Sequence, residues 1–168
     1  FAFINFSNKV VDYKKNKKII FITGPIERYS CKTIALPTGA SQGYKYMNSQ
    51  IEFINNLKYD IQSNFVIRIL KNQDDLFKTG YIDRINNSFC KIDTGITKLS
   101  KVLDQYKLAI VSFNSTSYLY TLSINFPTVL FWDESNFELR ESSLKYFKEL
   151  ELAGILHTSP LDAANHVN

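Results

Sequence analysis

The hydrophobic positions of this chain fall into short unbroken runs separated by stretches with helical spacing. Phe89–Asp93 (FCKID) reads as a short strand, and Lys18–Thr23 (KIIFIT), Phe65–Leu70 (FVIRIL, interrupted by Arg68), Lys107–Phe113 and Phe126–Trp132 are runs rich in β-branched and aromatic residues. Lys107–Phe113 and Phe126–Trp132 have the pattern of strands covered on both faces. Ile155–His157 adds a short extended piece. Between the runs, Tyr44–Leu57 carries apolar residues at 47, 51, 54 and 57, and Gly95–Tyr106 at 96, 99, 102 and 103 with Thr97 as a cap. Ser142–Leu152 carries a stripe of Leu144, Phe147, Leu150 and Leu152 that ends at Gly154. Each spacing predicts a helix. Asp74–Asn86 reads as a helix broken near Gly80, and Ser159-Pro160 opens a last helix over Leu161–Val167. Five or six strands alternating with helices predict a mostly parallel sheet with helices on both faces, a Rossmann-like three-layer α/β/α domain.

Lys107–Asp133 organises the rest. It reads as strand, loop, short helix through Asn125, and strand, which is a βαβ unit. The loop places Asn114, Ser115, Thr116 and Ser117 at the carboxyl end of a strand and the amino end of a helix. Unpaired helix N–H groups and the helix dipole make that junction an anion site. Ser115 or Thr116 can equally cap the helix, and the two roles are compatible. Gly24–Gly43 reads as a long irregular connection, in which Gly39, Ser41 and Gln42 let backbone N–H groups approach a ligand. No Gly-Lys-Ser/Thr follows, so it is not a P-loop. Arg68 interrupts a strand, and it either faces a cleft or pairs with Asp74, Asp75 or a neighbouring acid. Asp133 and Glu134 follow a strand end, in what can be a solvated loop. Neither histidine, His157 or His166, falls in the expected cleft.

Composition narrows the class. The 168 residues are 45% hydrophobic and 21% charged, which is the balance of one globular domain. No apolar run approaches the ~20 residues of a membrane span, and no signal-peptide pattern is present. The net charge of +4 is scattered, with one dense group at Lys14, Lys15, Lys17 and Lys18. That group contacts phosphates or an acidic membrane surface, giving peripheral membrane association, or is a solvated linker; nucleic acid is not expected as a partner. Cys31 and Cys90 stand apart without a metal-ligand spacing, so reduced thiols and no metal are expected. The expected division is a linker or upstream remnant at 1–17 and one domain at 18–168. The chain begins at Phe1 without Met, as expected of a piece of a longer protein.

Two segments, NSTSYLYTLSINFPTVLFW from Asn114 and ELRESSLKYFKELELAGILHTSPLDAANHV from Glu138, resemble the C-terminal part of a family of bacterial transferases assigned to surface-carbohydrate biosynthesis. More broadly they resemble the C-terminal, donor-binding domain of GT-B glycosyltransferases. The resemblance extends to Leu36–Tyr44, the Arg68 strand and Trp132. It implies a nucleotide-sugar donor as substrate with no cofactor, and a glycan or lipid-linked acceptor. It also implies an N-terminal domain of the same protein that completes the crevice and carries any catalytic base, and a cytoplasmic site at the inner face of the membrane. It assigns Gly39, Ser41, Gln42, Arg68, Asn114, Ser115, Thr116 and Ser117 to the donor and its diphosphate, and places Asp133 and Glu134 where sugar or acceptor hydroxyls are read. GT-B enzymes commonly carry a Glu on the helix after the Ser/Thr turn to hold the donor ribose; the matching position here is Tyr120, whose hydroxyl makes one such bond. An epimerase-like or polyol-phosphate transferase domain, or a non-catalytic α/β interaction module, shares the architecture. Acidic and His residues near the Ser/Thr turn would favour the epimerase, and the turn has none.

Overall fold

The computed structural model describes residues 15–24, 40–70, 83–84, 90–134, 137 and 139–168. Among these, six strands form one all-parallel sheet: β1 (Ile19–Ile22), β2 (Phe65–Arg68), β3 (Lys91–Asp93), β4 (Leu108–Val111), β5 (Thr128–Phe131) and β6 (Leu156–His157). The helices are α1 (Ala40–Asn55), α2 (Tyr59–Gln62), α3 (Thr116–Ser123), α4 (Glu141–Leu152) and α5 (Pro160–Val167). The strand order is β3-β2-β1-β4-β5-β6, so the chain winds outward in both directions from β1 and β4. This is the Rossmann-like, three-layer arrangement, and its winding reverses between β1 and β4.

Two-residue alternation along each strand divides the core in two. Ile19 and Phe21 of β1 join Phe65, Ile67, Ile110 and Phe131 on one face, under α1 and α5. Ile20 and Ile22 join Val66, Ala109, Val111 and Leu130 on the other, under α3 and α4. The first face is an aromatic stack: the Phe53 ring of α1 lies 4.7 Å from that of Phe131 and 5.5 Å from that of Phe21. On the second face Trp132 packs edge-on against Phe147 of α4 at 6.0 Å.

Several local expectations change. The predicted helix over Gly95–Tyr106 is two 3-10 turns, Leu99–Lys101 and Leu103–Gln105. Gly95 is in the left-handed region at φ 69°, and the Thr97 carbonyl accepts from Arg68, so the backbone here serves the strand edge rather than a helix ladder. Ile96 is 72% exposed, whereas Leu99, Val102 and Leu103 of the same spacing pack on the second core. Helix α1 begins at Ala40, which places Ser41, Gln42 and Gly43 inside a helix rather than in an irregular loop; Gly43 is buried there. The stripe on α4 is narrower than its spacing suggests, because Phe147 and Leu150 pack on the second core while Leu144 and Leu152 are exposed. The last helix matches: Ser159 Oγ accepts from the Asp162 amide at 3.0 Å, with Pro160 at the first position. Among the described residues no helix is long and apolar enough to cross a membrane. Most of the 1–17 segment and of the Asp74–Asn86 helix, with Cys31, lies outside the described residues; Asn16 donates to the Asp104 carbonyl at 2.6 Å.

Candidate functional site

The carboxyl edge of the sheet collects most of the polar residues singled out from the sequence. At the reversal point β1 is followed by Thr23 and Gly24, and β4 by Ser112, Phe113 and Asn114. A fully buried polar network closes the gap between them. The Gly24 amide donates to Tyr46 Oη at 2.7 Å, Tyr46 Oη and Ser112 Oγ hydrogen-bond at 3.0 Å, and Gln50 Nε2 donates to Ser112 Oγ at 2.9 Å. Tyr46 and Gln50 are one helical turn apart on α1, so one face of the helix delivers both. Burial pushes the Tyr46 phenol up to about 12, against the smaller opposing effect of its hydrogen bonds. The backbone is tight here: a Cβ on Gly24 would lie 2.9 Å from Phe113 Cγ and 3.0 Å from Tyr46 Oη. Sequence reading missed this network, because each member looks like an ordinary helix or strand residue. The one signal available was a polar residue, Ser112, continuing a run otherwise buried on both faces.

Beside the network, a cavity of about 170 Å³ opens on the same edge, with Thr23, Arg68, Leu70, Leu99, Phe113 and Ser117 among its walls. It brings together Arg68, from the end of β2, and Ser117, from the first turn of α3. Arg68 is buried and paired. Its Nη1 donates to Asp93 Oδ2 at 2.5 Å, and its Nη2 donates to the Thr97 carbonyl. Asp93 stands level with Arg68 on the adjacent strand, and its other oxygen accepts from the Gly95 amide at 2.9 Å. The acid that meets Arg68 is therefore Asp93; Asp74 and Asp75 lie outside the described residues.

The Ser/Thr turn does cap its helix. Ser115 Oγ accepts from the Ser117 amide at 3.2 Å. Asn114 Oδ1 accepts from the Tyr118 hydroxyl at 3.1 Å, which ties the exposed end of the loop to the helix. Thr116 is exposed at the first helical position. Tyr120 is half-buried, with its ring packed against the second core. Ser41 and Gln42 sit in the first turn of α1, a turn ahead of Tyr46, and Gly39 lies outside the described residues.

Asp133 and Glu134 are exposed beyond β5. Glu134 borders a second, larger groove of about 400 Å³, lined also by Leu139, Leu144, Phe147, Lys145, Lys148 and Glu151. Lys148 Nζ lies 2.6 Å from Glu151 Oε2, and this bond raises its pKa. Of the sequence-selected residues, Arg68 and Ser117 line the first cavity and Glu134 the second, while Asn114, Ser115, Thr116, Tyr120 and Asp133 line neither. His157 and His166 pair with each other instead, their rings 4.8 Å apart where β6 meets α5.

Residues 2–168 match the family model described as LIC12162 family transferase. No curated protein and no solved structure matches the chain.

Proposed function

The chain belongs to the LIC12162 family of transferases, and we propose that it forms the donor-binding part of a GT-B-like glycosyltransferase for bacterial surface polysaccharide. One observation carries this reading: Arg68 and Ser117 meet in one cavity at the carboxyl edge of a parallel sheet, beside the point where the winding reverses. Open α/β sheets take nucleotides at that edge. In this reading the donor diphosphate lies across the first turn of α3, among Asn114, Ser115, Thr116 and Ser117. The helix end supplies a partial positive charge where negative charge grows on the leaving group. Tyr120, packed against the core, contributes scaffold rather than a ribose contact. Ser41 and Gln42 approach the donor from the first turn of α1. Asp133 and Glu134, past the end of β5, face the sugar or a glycan or lipid-linked acceptor. An N-terminal domain of the same protein closes the crevice and supplies the catalytic base, at the cytoplasmic face of the membrane.

Calorimetric titration of the chain with UDP, GDP, CDP and CMP tests this, repeated on Ser117→Asp. An aspartate in the first turn favours the helix by its dipole, by about 0.3–1 kcal/mol, so this variant keeps its fold while repelling a diphosphate. The expected result is binding of one nucleoside diphosphate, weakened tenfold or more in Ser117→Asp with no loss of melting temperature. Absence of binding by any nucleotide, or equal binding by the variant, would overturn the reading.

A further inference from the structure

The cavity beside Arg68 has the wrong electrostatics for a phosphate. Its walls are largely apolar: Ile22, Leu70, Leu99 and Phe113. Among the described residues its one cation is Arg68, which is matched by Asp93 at 2.5 Å, so the pair brings no net charge. A phosphate moved into it would lose water on apolar walls without gaining a free cation, and burying a charge without a partner is strongly unfavourable. The Thr23 hydroxyl donates to the Arg68 carbonyl at 3.1 Å, so its proton is already used.

The same walls suit an uncharged planar ring. The bonds to Asp93 and Thr97 use two of the five N–H groups of a guanidinium. A ring carbonyl can accept from a remaining one with no charge to desolvate. Phe113 offers an aromatic surface and Leu70 and Leu99 aliphatic ones, as small-molecule pockets usually combine apolar walls with a few placed polar groups. At about 170 Å³ the space is below the roughly 300–1,000 Å³ that encloses a whole drug-sized ligand, so it takes one fragment of a larger molecule. Ser117 stands at the boundary, since it lines the cavity and also lies in the first turn of α3.

We propose that this cavity holds the donor's base, a single-ring pyrimidine read by Arg68, and that the diphosphate runs outward from it over α3. The inference rests on the nucleotide-donor reading above and narrows it to pyrimidine nucleotides. It reassigns Arg68 from a partner of the diphosphate to a reader of the base, with Asp93 as the positioning residue that fixes its guanidinium.

Uridine, guanosine and inorganic pyrophosphate serve as probes, titrated separately and in competition, on wild type, Leu70→Trp and Arg68→Lys. Leu70 is 51% exposed at the rim, so a Trp there fills the mouth without touching the core. Uridine is expected to bind without any phosphate, at least tenfold more tightly than guanosine. Pyrophosphate should not displace it, and Leu70→Trp should weaken it at least tenfold with an unchanged melting temperature. Arg68→Lys keeps the positive charge and loses the fork, and should weaken uridine similarly; if that variant melts early, Leu70→Trp decides. Displacement of uridine by pyrophosphate, or equal binding of guanosine, would overturn the assignment. Nucleoside diphosphate binding that Ser117→Asp weakens, with no uridine binding, would also overturn it while leaving the donor reading standing. Failure of every nucleotide and nucleoside would remove both.

Discussion

Removing one oxygen, in Tyr46→Phe, probes the network that seals the reversal point. The ring stays, so packing changes little. The Gly24 amide loses its acceptor at 2.7 Å, and Ser112 Oγ loses one of its two partners. An orphaned buried donor costs about 1–3 kcal/mol, and the lost Ser112 bond about 0.5–1.5 kcal/mol more. The expected loss is therefore roughly 2–4 kcal/mol. For a chain of this size each kcal/mol lowers the melting temperature by about 2–4 °C, so a fall on the order of 10 °C is expected. Urea titration with an unchanged slope would place the loss in the folded state. The pH dependence adds a second signature. Burial raises the Tyr46 pKa from the ordinary 10.0 of a tyrosine to about 12, so folding favours its neutral form. Its contribution to stability is complete below pH ~10 and is lost as the pH rises through about 12. The wild type should weaken across that window more than Tyr46→Phe does; Tyr106 and Tyr118, also raised by burial, weaken both alike. A change below about 0.5 kcal/mol, or identical alkaline profiles, would refute the network as a structural seal.

Other outcomes follow from the same geometry. Gly24→Ala should destabilise by about 1–3 kcal/mol, because its Cβ would press on Phe113 Cγ at 2.9 Å; chemical denaturation measures this. Phe53→Ala removes the ring at the centre of the aromatic stack and should cost about 3–5 kcal/mol by the same assay. The His157 pKa is lowered, first by burial and then by His166, so its neutral form is the one that suits the fold. Stability is therefore present above pH ~6.5 and falls as the pH drops toward the folded value; His166→Gln should flatten that acid limb of a melting-temperature profile.

The strands were legible because a parallel strand covered on both faces reads as an unbroken apolar run, as in Lys18–Thr23 and Phe126–Trp132. Their alternation then decided which helices cover which face. The Ser115 cap and the Ser159-Pro160 start were legible for a local reason: each acts through its own side chain on an amide two or three residues away. Gly95–Tyr106 misled because its spacing is helical while the Thr97 carbonyl answers to Arg68, 29 residues earlier. Gly43 misled in the opposite sense. A helical glycine costs only about 1 kcal/mol, and α1 has an aromatic face that packs over the sheet regardless. At the site, the Ser/Thr turn and Arg68 could be seen as candidates, but their partners could not. Asp93 reaches Arg68 through strand register, and Tyr46 reaches Ser112 across 66 residues. Such pairings are properties of the folded sheet and leave no local mark.

Nuclear magnetic resonance of the labelled chain titrated with UDP locates the donor as well as detecting it. A donor base in the carboxyl-edge cavity should give shifts that saturate together at Thr23, Arg68, Gly95, Phe113 and Ser117. Shifts confined to Glu134, Lys145 and Glu151 around the neighbouring groove, or no saturable shifts at all, would contradict it.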